Sequence, residues 1–292
     1  MGLCDDRTVL ITGAGAGLGR AYALAFAEAG AQVVVNDVRT EAAQAVVAEI
    51  ERLHPGRALA DSGDITTLAG AQAILQATLA RFGDVQVLVN NAGVLRDRMF
   101  LSLTEDDWDT VMRVHLRGHF CMASVFGRRW RDQKKAGVAV DARIINTSSS
   151  AGLHGSVGQS NYAAAKAGIA ALTLVQAVEL ARYGITVNGL APAARTAMTE
   201  GAMPELVKKP AHGFDLWDPM NVASIVVWLG STQSAHVTGH CFEARGGELA
   251  IAEGWHGGAP IDKGARWDPA ELGPAVDRLI AQARPAQKVW GT

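Results

Sequence analysis

Cysteine is scarce in this chain. The 292 residues hold three, Cys4, Cys121 and Cys241, scattered and outside any metal-ligand spacing. That argues against a disulfide framework or a structural zinc site, so no metal is expected, and it fits reduced thiols in a cytoplasmic protein. Charge of one sign is also missing. Lys and Arg number 27 against 29 Asp and Glu, a net charge of −2. A dedicated nucleic-acid binder or a protein drawn to anionic membranes would carry a basic excess, so neither partner is expected. The opening Met1-Gly-Leu-Cys-Asp-Asp6 lacks the basic and apolar parts of a secretion signal, and no uninterrupted apolar run reaches bilayer length. Repeats and low-complexity linkers are absent too. With 49% hydrophobic and 19% charged residues, a globular fold is expected.

What is present is alternation. Short, nearly all-apolar runs occur at 8–12, 32–37, 86–90, 143–147, 185–190 and around 240–244, the pattern of a parallel sheet covered on both faces. Helical stretches lie between them at 19–29, 41–53, 67–82, 105–131 and 160–183, several ending at Gly or before Pro. This order predicts an α/β fold with a doubly wound sheet, as one domain over residues 1–250. Two regions break the pattern. Residues 193–219 carry Met198, Met203, Leu206, Phe214 and Trp217 after a strand's carboxyl end, where ligands sit in such sheets, and are expected to form a substrate lid. The extension 251–292, with Trp255, Trp267 and Trp290 among Gly and Pro, is expected to pack on the core or on a neighbouring subunit.

The first strand runs into Thr12-Gly13-Ala-Gly-Ala-Gly17-Leu18-Gly19. Glycines here let backbone amides approach a diphosphate, and the following helix points its positive end at the same anion. The second strand ends at Asp37, 18 residues after Gly19. A carboxylate there either caps the next helix or, as in a dinucleotide-binding unit, bonds the adenosine ribose hydroxyls and repels a 2′-phosphate. Arg39 lies nearby, but Ala16 supplies no second cation, so NAD is favoured over NADP. Asp64-Ile65 and Asn90-Asn91-Ala92-Gly93 follow the third and fourth strands and are expected to line the adenine and ribose.

Asn161-Tyr162-Ala-Ala-Ala-Lys166 places a phenol and an amine four apart on one helical face. An ammonium beside a phenol is expected to lower its pKa toward useful acid/base range. Upstream, the fifth strand runs into Ser148-Ser149-Ser150, any of which offers a hydroxyl to a substrate oxygen.

Together these segments resemble the short-chain dehydrogenase/reductase family over about residues 6–250. The glycine turn, Asn90-Asn-Ala-Gly93, a serine thirteen residues before Tyr162, and Tyr162-x-x-x-Lys166 agree in order and spacing. The resemblance implies a seven-stranded parallel Rossmann sheet and a nicotinamide cofactor. It selects Ser149 among the three serines to polarise the carbonyl, gives Tyr162 the proton exchange, and has Lys166 also hold the nicotinamide ribose. Where the family usually reads Pro-Gly followed by Thr, this chain has Pro192-Ala193-Ala194-Arg195-Thr196, making Pro192 and Thr196 cofactor contacts and Ala193 a departure. His115 stands where many members place a catalytic asparagine. Val33–Asp37, Val94–Arg98 and Val114–Gly118 look like the (3R)-hydroxyacyl-CoA dehydrogenase part of peroxisomal multifunctional enzymes and their bacterial relatives. The terminal Val289-Trp-Gly-Thr292 is not a peroxisomal address.

The expected activity is therefore NAD-dependent interconversion of a secondary alcohol and a ketone, with (3R)-3-hydroxyacyl-CoA as the first substrate class. A hydroxysteroid or other hydrophobic alcohol is the alternative, and a non-catalytic NAD-binding regulator the rival from another class. Lys208, Lys209, Arg96 and Arg98 are candidate contacts for CoA phosphates or plain surface charge. The resemblance also implies a homodimer or homotetramer formed through the helices at 105–131 and 160–183.

Overall fold

The computed structural model describes residues 2–202, 204–254, 257–284, 288–289 and 291, with nothing described for the side chains of Met198, Ala202 and Ala270. Met203, Trp255 and Trp290 lie outside the described residues. The strands are β1 (Thr8–Thr12), β2 (Gln32–Asn36), β3 (Ala58–Asp61), β4 (Val87–Asn90), β5 (Ala142–Thr147), β6 (Ile185–Pro192), β7 (Cys241–Arg245) and β8 (Glu248–Ile251). The helices are α1 (Gly17–Glu28), α2 (Thr40–Leu53), α3 (Leu68–Phe82), α4 (Glu105–Met112), α5 (Gly118–Lys135), α6 (Ser150–His154), α7 (Ser160–Leu180), α8 (Ala197–Ala202), α9 (Pro219–Gly230) and α10 (Leu272–Gln282).

All eight strands form one sheet in the order β3-β2-β1-β4-β5-β6-β7-β8. Seven are parallel, and β8 turns back antiparallel on β7. The seven-stranded expectation is corrected by this one edge strand. Gly246-Gly247 closes a two-residue hairpin, and the four residues of β8 are solvent-exposed, so no buried run marks the strand in the sequence. The sheet therefore extends to Ile251.

Side-chain alternation builds the two layers. Val9, Ile11, Val33, Val35, Val87 and Val89 face α1, α2 and α9, where Phe26 and Val226 are fully buried. Their neighbours Leu10, Val34 and Leu88 face α3, α5 and α7, against Ile74, Phe126 and Trp130. Apolar residues on both faces are what a parallel sheet under two helical layers requires. The strand order reverses between β1 and β4, so their carboxyl ends part to open a crevice.

The helix expected at 105–131 is two helices joined by a π-helical turn, Arg113–Arg117. Its start is fixed by a capping box: Thr104 accepts the Asp107 amide, and the Asp107 carboxylate accepts the Thr104 amide. Among the described residues one helical stretch, 160–183, is long and apolar enough by length and composition to cross a membrane. Here it lies on β5, β6 and α6 and buries Asn161, Lys166 and Thr173 in polar contacts.

Tyr22 is a test of this packing. Its ring is fully buried, its hydroxyl has no partner among the described residues, and burial pushes its pKa far up. Removing an unsatisfied buried hydroxyl relieves a desolvation cost. Tyr22→Phe is expected to hold or raise stability by about 1 kcal/mol in urea unfolding; a clear loss would reveal a partner for the phenol.

Candidate active site

Thr12, at the end of β1, ties the two sides of the crevice. Its hydroxyl accepts the amides of Asn91 (2.9 Å) and Ala92 (3.1 Å), and the Asn91 side chain donates back to the Thr12 and Gly13 carbonyls. The turn after β4 is thereby pinned against the glycine turn. Gly13 (φ 63°) and Gly17 (φ 53°) take left-handed backbone, and a Cβ on Gly13 would lie 2.7 Å from Ala92 Cα. Gly17, Leu18 and Gly19 open α1, whose free amides face this crevice.

Asp37 follows β2 and is buried. Its carboxylate accepts the Gly15 amide (3.0 Å), the Arg39 amide (3.0 Å) and the Arg39 guanidinium (3.1 and 3.2 Å). Burial alone would raise its pKa; the hydrogen bonds from Arg39 and Gly15 outweigh this and hold it below the usual carboxylate range. Arg39 is thus engaged by Asp37, a pairing the sequence did not announce. Asp64 accepts the Thr66 amide and hydroxyl, and Ile65 is buried in the second layer beside Gly118. Pro192 ends β6, and the Thr196 methyl sits 3.4 Å from where a Cβ on Gly17 would lie. This cradle of tight backbone, helix amides and a strand-end carboxylate fits a dinucleotide.

Ser149, Tyr162 and Lys166 come together at the same end of the sheet. Ser149 caps α6, its oxygen accepting the Ala151 amide at 3.2 Å, which leaves its hydrogen free to donate. Asn161 is wholly buried, donates to the carbonyls of Arg96 (3.0 Å) and Asp107 (3.2 Å), and accepts the Tyr162 amide (2.8 Å). It anchors the first turn of α7. Lys166 is 2% exposed; its Nζ donates to the Thr147 carbonyl at 2.6 Å and lies 5.6 Å from the Tyr162 ring centre. Desolvation brings its pKa down to about 7.

The phenol does not shift as the sequence suggested. Tyr162 is raised above the usual phenol range: burial raises it most, a hydrogen bond from Ser149 opposes, and Asp97 adds to the rise. The first reason is the burial of the phenol itself; Lys166, whose own charged form burial disfavours, does not offset it.

His115 sits within the π-helical turn, buried, edge-on to Tyr162 with ring centres 5.3 Å apart and planes at 87°. Its Nε2 is 3.0 Å from the Val94 nitrogen and 2.8 Å from the Val94 oxygen, so its tautomer selects one of two bonds to the same residue. A Cβ on Gly93 would lie 2.3 Å from the ring, so that glycine makes room for the histidine. Burial first, then Lys166, lowers its pKa to about 3. Of the cations weighed for phosphates, Arg98 is paired with Asp107 at 2.7 Å, while Arg96, Lys208 and Lys209 are exposed.

Between about pH 7 and 10.5 the unfolded chain keeps a proton on Lys166 that the folded chain has lost, so stability rises with pH across that window. The stability of the ligand-free wild type relative to Lys166→Met is expected to climb by on the order of 3 kcal/mol from pH 7 to 10 in denaturant titrations; a flat difference would show an unshifted amine.

Comparison with known proteins agrees with this geometry. The short chain dehydrogenase family profile matches residues 7–206. The chain is 42% identical to the hydroxyacyl-CoA dehydrogenase ChsB1 of Mycobacterium tuberculosis, over 99% of this chain and 93% of that protein. It is 41% identical to the peroxisomal multifunctional enzyme type 2 of Mus musculus, over 87% of this chain but only 32% of that longer protein. The crystal structure of a short chain dehydrogenase from Mycobacterium avium matches with a TM-score of 0.92 at 51% identity, covering 100% of both chains. The chain belongs to the short-chain dehydrogenase/reductase family, and is thus an oxidoreductase acting on CH–OH groups with a nicotinamide cofactor.

Proposed function

We propose that the chain interconverts (3R)-3-hydroxyacyl-CoA and 3-oxoacyl-CoA with NAD. The observation that carries the chemistry is the convergence of Ser149, Tyr162 and a buried Lys166 on one crevice. The names of similar proteins support the acyl-CoA class, and the Asp37 carboxylate beside the glycine turn supports NAD over NADP.

The glycine turn 13–19 would hold the diphosphate, Asp37 the adenosine ribose, residues 64–65 and 91–93 the adenosine walls, and Pro192, Thr196 and Lys166 the nicotinamide end. The bound cofactor supplies a hydride acceptor and, when oxidised, a positive ring charge. Ser149 donates to the substrate oxygen, Tyr162 as the phenolate takes the hydroxyl proton and becomes the neutral phenol, and Lys166 steadies the phenolate before that transfer. Residues 193–219 serve as the substrate lid, and the extension after Ile251 packs on the body or on a neighbouring subunit. The edge-on His115 fills the place usual for asparagine and holds Val94 and Tyr162 in register.

We also assign a homo-oligomer to this enzyme. Along α7 the outward stripe Ala164, Ala167, Ala171, Leu174 and Val178 is exposed, with Val178 81% exposed. Small and apolar residues at helical spacing allow a second copy of the helix to approach closely.

Tyr162→Phe should lower turnover about 10²–10⁴-fold while leaving NAD binding intact; an unchanged rate overturns its role. The wild type, assayed on (3R)-hydroxyacyl-CoA and hydroxysteroids with NAD and NADP in parallel, should prefer acyl-CoA and NAD. Turnover of steroids alone would move the substrate to the alternative class, and no turnover at all would favour a non-catalytic binder. Sedimentation should give a species heavier than the 30.7 kDa chain; a lone monomer rejects the oligomer.

A further inference from the structure

The segment that leaves β6 and returns at α9 is closed by a clasp. Arg195 places both terminal nitrogens on the Asp215 carboxylate, and its Nη1 also donates to the Val207 carbonyl at 2.8 Å. The Arg195 amide donates to the Trp217 carbonyl at 2.7 Å, and the Trp217 amide returns to Asp215 Oδ1 at 3.2 Å. The Asp215 carbonyl accepts the Asn221 side chain at 2.8 Å, in the first turn of α9. One guanidinium thus joins the beginning, middle and end of the excursion. The two side chains are 14% and 12% exposed, and Val207 is fully buried beneath them.

We infer that Arg195 and Asp215 are positioning residues that fix how residues 197–214 meet the substrate, although neither reaches the reacting groups. A bidentate guanidinium–carboxylate pair sets both the distance and the plane of its partners, which a lysine ammonium does not. With its ends fastened, the segment presents the exposed Leu206 and Phe214 from a fixed base. The cofactor side has its own supports. The Thr196 amide donates to the Thr199 hydroxyl at 2.8 Å, and that hydroxyl donates to the buried Ala194 carbonyl at 2.9 Å. Opening the clasp therefore loosens the substrate side while Thr196 keeps its place against Gly17.

This inference rests on the acyl-CoA reading of the site, and the experiment separates the two. Wild type, Arg195→Lys, Arg195→Met and Asp215→Asn are compared for KM and kcat on a long-chain 3-hydroxyacyl-CoA, for NAD affinity, and for cleavage by trypsin after the exposed Lys208. Arg195→Met and Asp215→Asn should raise KM at least tenfold with kcat and NAD affinity within threefold, Arg195→Lys should fall between, and trypsin should cut both at least fivefold faster. An unchanged KM overturns the inference. So does an equal loss of NAD affinity and kcat, the outcome for a clasp that only supports the fold. Should the wild type ignore acyl-CoA, the substrate reading fails instead, and the same split is measured on the best alcohol of the panel. If no alcohol is turned over, equal trypsin rates overturn the clasp by themselves. Asp215→Asn, which keeps the shape of the side chain, decides the matter if Arg195→Met does not fold.

Discussion

The position of one buried amine organises the rest of this structure. Lys166 and Tyr162 share one face of α7, that face meets Ser149 after β5 only if α7 sits on the sheet in one register, and the register is set by polar pins. The Ser148 hydroxyl donates to the Lys166 carbonyl at 2.8 Å while Lys166 Nζ donates to the Thr147 carbonyl. Deeper in the same interface, Asn90 donates to Asn146, and Asn146 donates to Thr173 (3.1 Å) and Gln176 (3.0 Å). Sliding the helix by one residue would rotate it about a quarter turn and leave buried amides without partners. The apolar residues of α7 supply closeness to the sheet, and the amides supply the address.

Legibility in the sequence followed the range of each interaction. The glycine turn and the Tyr162/Lys166 pair were legible because their geometry is local: adjacent residues make the turn, and one helical turn makes the pair. The parallel layers were legible because residues buried on both faces leave long apolar strands such as 33–35 and 87–89. The antiparallel β8 was not, since its exposed residues show no burial pattern. Arg195 and Asp215 lie twenty positions apart in an irregular segment, where no periodicity joins them. The π-helical turn at Arg113–Arg117 was invisible for another reason: it changes the helix hydrogen-bond ladder without changing the residue types a helix prefers.

The phenol's upward shift was the least legible feature because it depends on a competition. Proximity of a lysine was apparent; the dryness of that lysine was not. Desolvation acts on both partners, raising the phenol and disfavouring the ammonium beside it.

The same competition extends behind Tyr162. His115 and His119 are both buried, four residues apart around the π-helical turn, and Lys166 lowers both pKa values after burial itself. Three basic groups are therefore buried in one region, and the charge of Lys166 discourages protonation of both histidines. At neutral pH both histidines are neutral and the amine is near its midpoint. Among its neighbours, Ser149 opposes the upward shift of Tyr162 with a hydrogen bond, and burial outweighs it.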